Sequence, residues 1–278
     1  MTTTLLRPDR DALGAEWREL VNSEREQTER LREWHEPDYY RPVAQHFVED
    51  PRRPGDDMLN TLRSLCAPDV TWLDVGAGGG RNALPLALLS KQVIAIEPSE
   101  AMREVLGDVA RDAGINNVEV LPLRWPEGSE SVKVDYSLMA HVGYDIVEIN
   151  PFLDALERST RKRCFASMMA HAPSSGFETL WQEVHGEPRF TLPAMREFLH
   201  LLLARGATPD VRIYARDVAP HEPDEIRASA RRRLWLTEGS EKDRKLQRLI
   251  DEDLGREDRI LRRRHVVSLI SWEPNTTE

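Results

Sequence analysis

Cysteine is scarce in this sequence of 278 residues, which contains only Cys66 and Cys164. This pair lacks metal-ligand spacing and makes no disulfide framework, so neither a zinc site nor a disulfide-rich secreted domain is predicted. Apolar runs never approach the roughly eighteen residues of a membrane-spanning helix. The opening stretch, MTTTLLRPDRDALG, also lacks the basic and apolar regions of a secretory signal. We therefore expect a cytoplasmic protein that binds neither a metal nor a membrane.

An excess of positive charge is also missing, because 48 acidic residues outnumber 38 lysines and arginines and give a formal net charge of −10. Nucleic acid is not the expected partner, since phosphate contacts need clustered cations. Arginine triplets at 231–233 and 262–264 are local exceptions that bracket a stretch rich in acids. Ion pairing along two helix faces is the simpler interpretation of the triplets, and a basic patch for an anionic substrate is the other.

The N-terminal region predicts a long helix followed by an aromatic segment. Over 10–34 the apolar residues recur at spacings of three, four and seven, and Glu26 and Arg30 are spaced as a favourable i,i+4 pair. The next stretch, WHEPDYYRPVAQHF (34–47), is too apolar for a linker and is interrupted by two prolines. A short helix is predicted over 58–65.

From residue 70 onward, short apolar runs alternate with helical patterns. Strands are predicted at 70–75, 92–97, 118–123, 134–140, 163–169, 211–218 and 265–272. Helices are predicted at 82–90, 99–114, 151–160, 191–206, 224–236 and 241–254. This alternation predicts an α/β fold with a doubly wound, mostly parallel, seven-stranded sheet. The long connection between the last two strands predicts a helical insertion at about 222–264.

Four glycines crowd the stretch DVGAGGGR (74–81), directly after the first predicted strand. A strand, a glycine-rich turn and a helix start form a cradle in which a ligand lies against bare backbone. Glu97 ends the second strand, 21 residues after Gly76, at the position where an acid binds ribose hydroxyls. The sequence therefore predicts a cofactor that contains ribose.

The register of the glycines separates two kinds of cofactor. A dinucleotide fingerprint fits GGGRNA (78–83) only if it starts two residues late, and starting it at Gly76 puts Arg81 at the third glycine position. The turn also lacks the lysine of a phosphate-binding loop. The other register, D-x-G-x-G-x-G, uses Asp74, Gly76, Gly78 and Gly80.

In this second register the chain resembles the class I S-adenosylmethionine-dependent methyltransferases over about residues 70–145. The matching stretches are WLDVGAGGGRNALPLA, VIAIEPSEAM, NVEVLPLRWPE and VDYSLMAHVGY. The resemblance implies a Rossmann-like methyltransferase fold with S-adenosylmethionine as cofactor. An acid beside the turn suits the ammonium of this cofactor and would repel a pyrophosphate.

The resemblance also implies which residues hold the cofactor. Asp74 is expected at the methionine amino end, Glu97 at the ribose hydroxyls and Met102 at the adenine. Many family members carry an acid after the third strand for the adenine amino group. Here Arg124 and Trp125 stand in that region, and a backbone or Trp125 contact is expected instead. The expected cofactor-binding residues are Asp74, Gly76, Ala77, Gly78, Gly80, Glu97, Pro98, Met102, Arg124, Trp125, Ala140, His141 and Tyr39.

Methyl transfer requires that the acceptor, the methyl group and the sulfur be held in line, with a base only where the acceptor must lose a proton. His141, which follows the fourth strand, is the candidate base; a histidine that only shapes the pocket is the alternative. Tyr144 and Tyr40 are the other catalytic candidates. The resemblance places 34–47 as a lid over the site, and the alternative is that its aromatic residues pack the long helix onto the sheet. Residues 180–188 could add Trp181, Glu183 or His185 to the acceptor pocket.

We accordingly divide the chain into an N-terminal helix and lid segment (1–57) and a Rossmann-like methyltransferase domain (58–278) that carries the insertion. The leading hypothesis is methylation of a small-molecule acceptor. The alternatives are a methyltransferase for RNA or protein, a non-catalytic module that binds S-adenosylmethionine, and a nicotinamide oxidoreductase. The residues specify neither the acceptor nor the oligomeric state, and a homodimer stays open.

Overall fold

One seven-stranded sheet organises the part of the chain that the structure, a computed structural model, describes: residues 9–216, 222–255 and 265–275. Its strands are β1 (Thr71–Val75), β2 (Gln92–Ile96), β3 (Val118–Leu121), β4 (Val134–Ala140), β5 (Thr160–Met169), β6 (Asp210–Arg216) and β7 (His265–Trp272). They lie in the order β3-β2-β1-β4-β5-β7-β6, with β1 to β5 parallel and β7 antiparallel to both of its neighbours. The predicted α/β fold with a mostly parallel, seven-stranded sheet is confirmed.

Helices cover both faces of this sheet, as the apolar strands require. Within the described ranges they are α1 (Arg10–Leu31), α2 (Asp57–Arg63), α3 (Ala83–Ala87), α4 (Glu100–Asp112), α5 (Ile149–Ser159), α6 (Glu178–His185), α7 (Met195–Ala204), α8 (Pro223–Arg233) and α9 (Glu241–Leu254). One apolar core joins α1, α5 and α7 to one face, and a second joins α2, α3 and α4 to the other. No helix in the described ranges is sufficiently long and apolar to cross a bilayer.

Most predicted elements match the structure to within a few residues. The strands predicted at 134–140 and 265–272 and the helix predicted at 241–254 have the predicted bounds. The fifth strand starts at Thr160, three residues before the predicted start. The helix predicted from 191 begins only at Met195, where the Glu197 carboxylate accepts a hydrogen bond from the Ala194 amide at 3.0 Å. That contact fixes the start of α7, since it satisfies an amide at the helix end.

The first helix is shorter than predicted, because other parts of the chain bind its C-terminal end. It ends at Leu31 instead of Trp34, and the Glu33 amide donates to the Trp235 carbonyl at 2.8 Å. The expected Glu26–Arg30 pair is also wrong, since Arg30 lies 2.6 Å from the Glu187 carboxylate. Both differences arise from partners far along the chain, which local spacing does not reveal.

The predicted helical insertion is present as α8 and α9, between β6 and β7. These helices pack on α6 and enclose a third apolar core that contains Trp181, which is fully buried. His185 lies in the same region, where Nε2 is 3.0 Å from the Leu234 carbonyl oxygen and burial lowers the pKa of the imidazole to about 4. Glu183 is exposed. Trp181 and His185 therefore anchor the insertion; the triplet 262–264 lies outside the described residues.

Candidate active site

The glycine turn between β1 and α3 leaves open space beside one of its residues. Gly76, Gly78 and Gly80 have φ values of 72°, 54° and 85°, which residues with a Cβ rarely adopt. A Cβ on Gly76 would lie 2.4 Å from Val142, and a Cβ on Gly80 would lie 2.8 Å from Leu84. A Cβ on Gly78 would meet no described atom within 4 Å. The bare backbone at Gly78 therefore borders space in which a ligand can lie.

Backbone hydrogen bonds hold the turn against the end of β2. The amides of Gly76 and Ala77 both donate to the Ile96 carbonyl, at 2.8 and 3.1 Å. The Gly80 amide donates in turn to the Ala77 carbonyl at 3.0 Å, and the Ala77 side chain is buried. The turn is thus a preformed part of the fold.

Asp74, in β1, carries a buried carboxylate. Only 1% of the residue is exposed, and neither carboxylate oxygen has a hydrogen-bond partner among the described residues. Burial, and after it the negative charge of Glu97, raises the pKa of Asp74 to about 7, while the nearby Ala83 amide lowers it. A buried, unpaired carboxylate is costly in free energy. This group is therefore suited to bind a cation that enters from outside the chain.

Glu97 follows β2 and faces the same space as Gly78. Its Oε2 accepts a hydrogen bond from the Gly78 amide at 2.8 Å, and its Oε1 accepts one from the Ser99 amide at 2.8 Å. The residue is 6% exposed, and burial raises the pKa of its carboxyl group although both amides lower it. The side chain therefore joins the glycine turn to the start of α4.

Residues 38–49, here called the N-terminal segment, dock on the start of α4. The Asp38 carboxylate accepts hydrogen bonds from the Ser99 hydroxyl at 2.9 Å and from the Ala101 amide at 3.2 Å. These donors lower the pKa of Asp38 although burial acts in the opposite direction. The Met102 side chain packs beneath the segment against Ala44 and is 2% exposed. The residue expected at the adenine thus also supports the segment.

The N-terminal segment also covers the glycine turn. A Cβ on Gly79 would lie 2.9 Å from the Phe47 carbonyl oxygen, so only glycine fits beneath it without a shift. Glu49 lies 2.7 Å from the Arg81 guanidinium. The segment and the turn therefore lie side by side, and we call the region around the open space at Gly78 the cleft.

Five rings surround this cleft on the side of the insertion, and we call them the aromatic cluster: Trp34, Tyr39, Tyr40, Phe47 and Trp235. Trp34 and Tyr39 lie 4.9 and 5.3 Å from Trp235, centroid to centroid, and Tyr40 lies 5.9 Å from Phe47. The cluster therefore joins the N-terminal segment to the end of α8.

Tyr40 lines the cleft. The residue is 41% exposed, yet its hydroxyl is surrounded by protein. This burial raises the pKa of Tyr40 to about 12, and the charges of Tyr39, Asp145 and Glu97 raise it further. The phenol of Tyr40 is therefore neutral at physiological pH and available as a hydrogen-bond donor.

The end of β4 supplies the remaining catalytic candidates. His141 follows Ala140 with φ = 57°, and its amide donates to the Ser167 carbonyl at 2.9 Å. A positive φ at a residue other than glycine is strained and is frequent at functional sites. The Tyr144 hydroxyl accepts a hydrogen bond from the Met169 amide at 2.7 Å, and burial raises the pKa of Tyr144 to about 12. Tyr144 is therefore bonded to the end of β5.

Three other predicted cofactor residues have distinct surroundings. Pro98 is exposed next to Glu97, and the Arg124 side chain is exposed as well. Trp125 is 4% exposed within the first apolar core, where its indole N–H donates to the Phe152 carbonyl at 3.1 Å. The indole N–H is thus already engaged, and we retain only a backbone contact of 124–125 as a prediction for the adenine.

Individual arginines of α8 contact the rest of the chain in different ways. Arg232 donates to the Tyr39 carbonyl, and its guanidinium carbon lies 3.8 Å from the centre of the Tyr39 ring. Arg233 donates to the Pro173 carbonyl. Only Arg231 of this triplet behaves as the ion-pair interpretation expects, since it lies 2.9 Å from Asp243. The basic-patch alternative was the available signal, but spacing alone could not separate the three arginines.

The residues of the cleft fit the cofactor that the sequence suggests. Asp74 offers an unpaired carboxylate for an ammonium, Glu97 offers acceptors for hydroxyl groups, and Gly78 leaves room for a ligand against bare backbone. No lysine lies in the turn to bind a pyrophosphate. These groups therefore suit a nucleoside that carries a positive charge better than a dinucleotide.

Comparison with known proteins also points to methyltransferases. Residues 73–166 match a family model described as a methyltransferase domain. Over 129 residues the chain is 29% identical to a Pyrobaculum aerophilum protein described as "Probable ribosomal RNA small subunit methyltransferase A", covering 45% of this chain and 54% of that one. An uncharacterized Haemophilus influenzae protein is 22% identical over 151 residues, covering 53% and 56%. The chain thus spans about half the length of the curated relatives it matches.

Solved structures share the fold. The YcgJ protein from Bacillus subtilis superimposes with a TM-score of 0.53 at 14% identity, over 77% of this chain and 95% of that one. Magnesium protoporphyrin IX methyltransferase from Synechocystis, solved with bound S-adenosylhomocysteine, gives 0.50 at 13% identity, over 85% and 96%. At these identities the likeness concerns the fold.

Taken together, the sheet order and the solved structures show the fold of the Rossmann-like methyltransferases. Residues 73–166, which contain the glycine turn and both acids, resemble a methyltransferase domain.

Proposed function

We propose that this enzyme methylates a small-molecule acceptor in the cleft between the glycine turn, the end of β4 and the N-terminal segment. The buried, unpartnered carboxylate of Asp74 beside the open backbone at Gly78 carries the donor side of the proposal. The acceptor side is supported by the N-terminal segment, which covers part of the turn through the Phe47 carbonyl at Gly79 and the Glu49–Arg81 ion pair. The acidic net charge of −10 also favours a small acceptor over a polyanion.

The cofactor-binding roles follow from the chemistry of each group. Asp74 would neutralise the ammonium of the methionine end, and Glu97 would accept hydrogen bonds from the ribose hydroxyls. The remaining contacts are proposed from Gly76, Ala77, Gly78, Gly80, Pro98, Met102, the backbone of 124–125, Ala140, His141 and Tyr39. When bound, the cofactor supplies a methyl carbon that is electrophilic because it is attached to a positively charged sulfur.

The remaining task of the protein is to orient the acceptor and exclude water. His141 is proposed to hold or remove the acceptor proton, since imidazole exchanges protons near neutral pH and a strained backbone fixes this residue at the sheet edge. The Tyr40 hydroxyl, on the N-terminal segment, is proposed to donate a hydrogen bond to the cofactor carboxylate or to the acceptor. Tyr144 stays a catalytic candidate, although its engaged hydroxyl suits a positioning role better.

An RNA acceptor is the second candidate, because the Pyrobaculum relative is described as a ribosomal RNA methyltransferase. The salt dependence of acceptor binding distinguishes RNA from a small molecule. Binding of RNA weakens steeply as salt rises, through release of counterions from phosphates, whereas a small acceptor with few charges responds little.

Titration calorimetry tests the donor side directly. We expect S-adenosylmethionine and S-adenosylhomocysteine to bind, and NAD to give no heat. Binding of NAD without S-adenosylmethionine would contradict the proposal. Mass spectrometry of any small molecule that copurifies, followed by turnover assays on its chemical class, tests the acceptor. Cofactor binding without turnover over a broad panel of small molecules, RNA and proteins would favour a non-catalytic module.

A further inference from the structure

Arg189, Arg232 and Arg233 lie where α8 meets the N-terminal segment and residues 173–174, and among the described residues only Arg189 has a carboxylate partner. Arg189 lies 3.2 Å from Glu24, and both side chains are largely buried, at 2% and 13% exposure. Arg232 and Arg233, in the last turn of α8, have no carboxylate partner among the described residues. A cluster of like charges in a partly buried site is unfavourable unless an anion balances it.

Arg233 has most of its donors unused. Its one hydrogen bond among the described residues runs from Nη1 to the Pro173 carbonyl, whereas a guanidinium carries five N–H groups. Burial lowers the pKa of Arg233, and the other main influences are the phenols of Tyr39 and Tyr40 and the charges of Arg232 and Arg189. Arg189 donates likewise to the neighbouring Ser174 carbonyl, so the guanidinium groups of Arg189 and Arg233 bind adjacent carbonyls of the chain.

Arg232 connects this cluster to the cleft. Its guanidinium stacks on Tyr39, and its Nε is buried without a hydrogen-bond partner among the described residues. The same arginine acts electrostatically on Tyr40, whose hydroxyl also experiences the charge of Glu97. The Tyr39 ring lies 5.3 Å from the Tyr40 ring, centroid to centroid. Because Arg232 contacts both the ring and the carbonyl of Tyr39, the arginines border the N-terminal segment, on the acceptor side of the cleft.

The position of Arg232 and Arg233 in the last turn of α8 does not explain why they lack an acidic partner among the described residues. Cations are favourable in the last turn of a helix, but such side chains normally extend into solvent or pair with an acid. Arg231 in the same turn does pair, with Asp243 and Glu238. Arg227, one and a half turns earlier, pairs with Asp224 and Asp251. The absence of an acid is therefore specific to Arg232 and Arg233.

We infer that Arg233, assisted by Arg232, binds an anionic group of the acceptor, so that the substrate is a small carboxylate or phosphate compound. The inference rests on the proposed function, because it locates the acceptor beside Tyr40. A planar guanidinium binds either oxyanion with two parallel hydrogen bonds, and the neighbouring rings suit an apolar or aromatic body attached to the anion. A small anion is favoured over RNA because the Arg232 guanidinium is stacked on Tyr39 with its Nε buried, and because a net charge of −10 disfavours a polyanion.

Ligand-observed NMR with simple probes tests this site on the full-length protein saturated with S-adenosylhomocysteine. The probes are benzoate, its neutral counterpart benzamide, and inorganic phosphate. We expect wild-type protein to bind benzoate at least tenfold more tightly than benzamide. Arg233→Gln should reduce benzoate affinity at least tenfold and abolish the preference for the charged probe, and Arg232→Gln should act in the same direction.

Matched variants distinguish recognition from a general loss of structure. Arg227→Gln removes an equal charge from the same helix at a residue whose acids already balance it, and benzoate affinity should change less than twofold. Arg233→Lys retains the charge without the planar fork, so it should keep part of the preference for benzoate over benzamide. A purely structural role would weaken both probes together and leave that preference unchanged.

Each outcome decides between the possibilities. The inference is overturned if the wild-type complex binds benzoate and benzamide equally, if it binds no anion, or if Arg233→Gln retains full preference. Tight, salt-sensitive binding of an RNA oligonucleotide that depends on Arg233 would overturn the small acceptor. Binding of benzoate or of phosphate identifies the oxyanion. The preliminary titration with S-adenosylhomocysteine tests the proposed function separately, since its failure would remove the cofactor even if the arginines bound anions.

Discussion

The two halves of the cleft are built in different ways. The cofactor half comes from one continuous stretch, 74–102, in which the turn is fixed by backbone hydrogen bonds and Asp74 and Glu97 supply the charge. The acceptor half is assembled from segments far apart in the chain: the aromatic cluster, the end of β4 and the last turn of α8. The difference indicates that the cofactor half is a stable part of the sheet, whereas the acceptor half depends on the insertion staying docked.

The largest effect should come from the glycine turn. Gly78→Val is expected to abolish binding of S-adenosylmethionine, because its side chain would fill the open space beside the turn. Gly114→Val is the matched control, since Gly114 also has positive φ (68°) and no described atom near its missing Cβ. Both variants should be destabilised by about 1–2 kcal/mol through backbone strain, as measured by denaturation. Calorimetry that finds equal cofactor affinity in the two variants would contradict the comparison.

Asp74→Asn should weaken cofactor binding by about 3–5 kcal/mol, the cost of removing one member of a buried ion pair. The pH dependence gives an independent check. The pKa of Asp74 is about 7 in the free protein, and a bound ammonium would lower it. Affinity should therefore fall as pH drops through about 7, and the variant should lose that dependence. A wild-type dissociation constant that stays constant between pH 6 and 8 would remove Asp74 from the ammonium site.

The folding stability of the ligand-free protein should depend on pH in the opposite direction to its cofactor affinity, and should fall as pH rises. The native pKa of Asp74 lies above its ordinary value, so the stabilising protonated form is lost as pH rises from about 4 to about 7. Asp74→Asn should therefore raise the melting temperature of the ligand-free protein most at pH 8 and least near pH 4. Loss of stability at pH 8 would mean that the carboxylate has a structural partner.

Glu97→Ala should weaken cofactor binding by roughly 1.5–3 kcal/mol, the scale of hydrogen bonds to a charged group. Part of this loss would come from the turn itself, because the Gly78 and Ser99 amides lose their acceptor. Glu97→Gln separates the two contributions, since an amide oxygen can still accept from one of these amides. An unchanged dissociation constant for Glu97→Ala, measured by calorimetry, would exclude Glu97 from the site.

The smallest effect is expected from Tyr40→Phe, which removes one hydroxyl from the acceptor half. Cofactor affinity should fall by about 0.5–1.5 kcal/mol if this hydroxyl bonds the cofactor. Tyr136→Phe removes a hydroxyl from the sheet, where the ring packs beside Trp72, and should leave affinity unchanged. Equal affinity for Tyr40→Phe and wild type would assign the hydroxyl to the acceptor or to packing alone.

The sequence by itself determined the succession of strands and helices along the chain, and it predicted the glycine turn with Asp74 and Glu97 beside it. These features follow from local patterns, because apolar periodicity, positive-φ glycines and an acid at a strand end each depend on neighbouring residues. Several helix ends were less accurate, and α1 stops early because Glu33 binds Trp235, about two hundred residues away.

Only the tertiary structure decided which side chains surround the cleft. Trp125 lies in the part of the sequence expected to contact the adenine, yet its ring packs in the core. Arg231, Arg232 and Arg233 are consecutive and chemically identical, but only the first finds an acid. The physical reason is that successive side chains of a helix point about 100° apart, so each arginine meets a different neighbour. Which neighbour it meets depends on how α8 docks against the N-terminal segment, and local spacing contains no information on that contact.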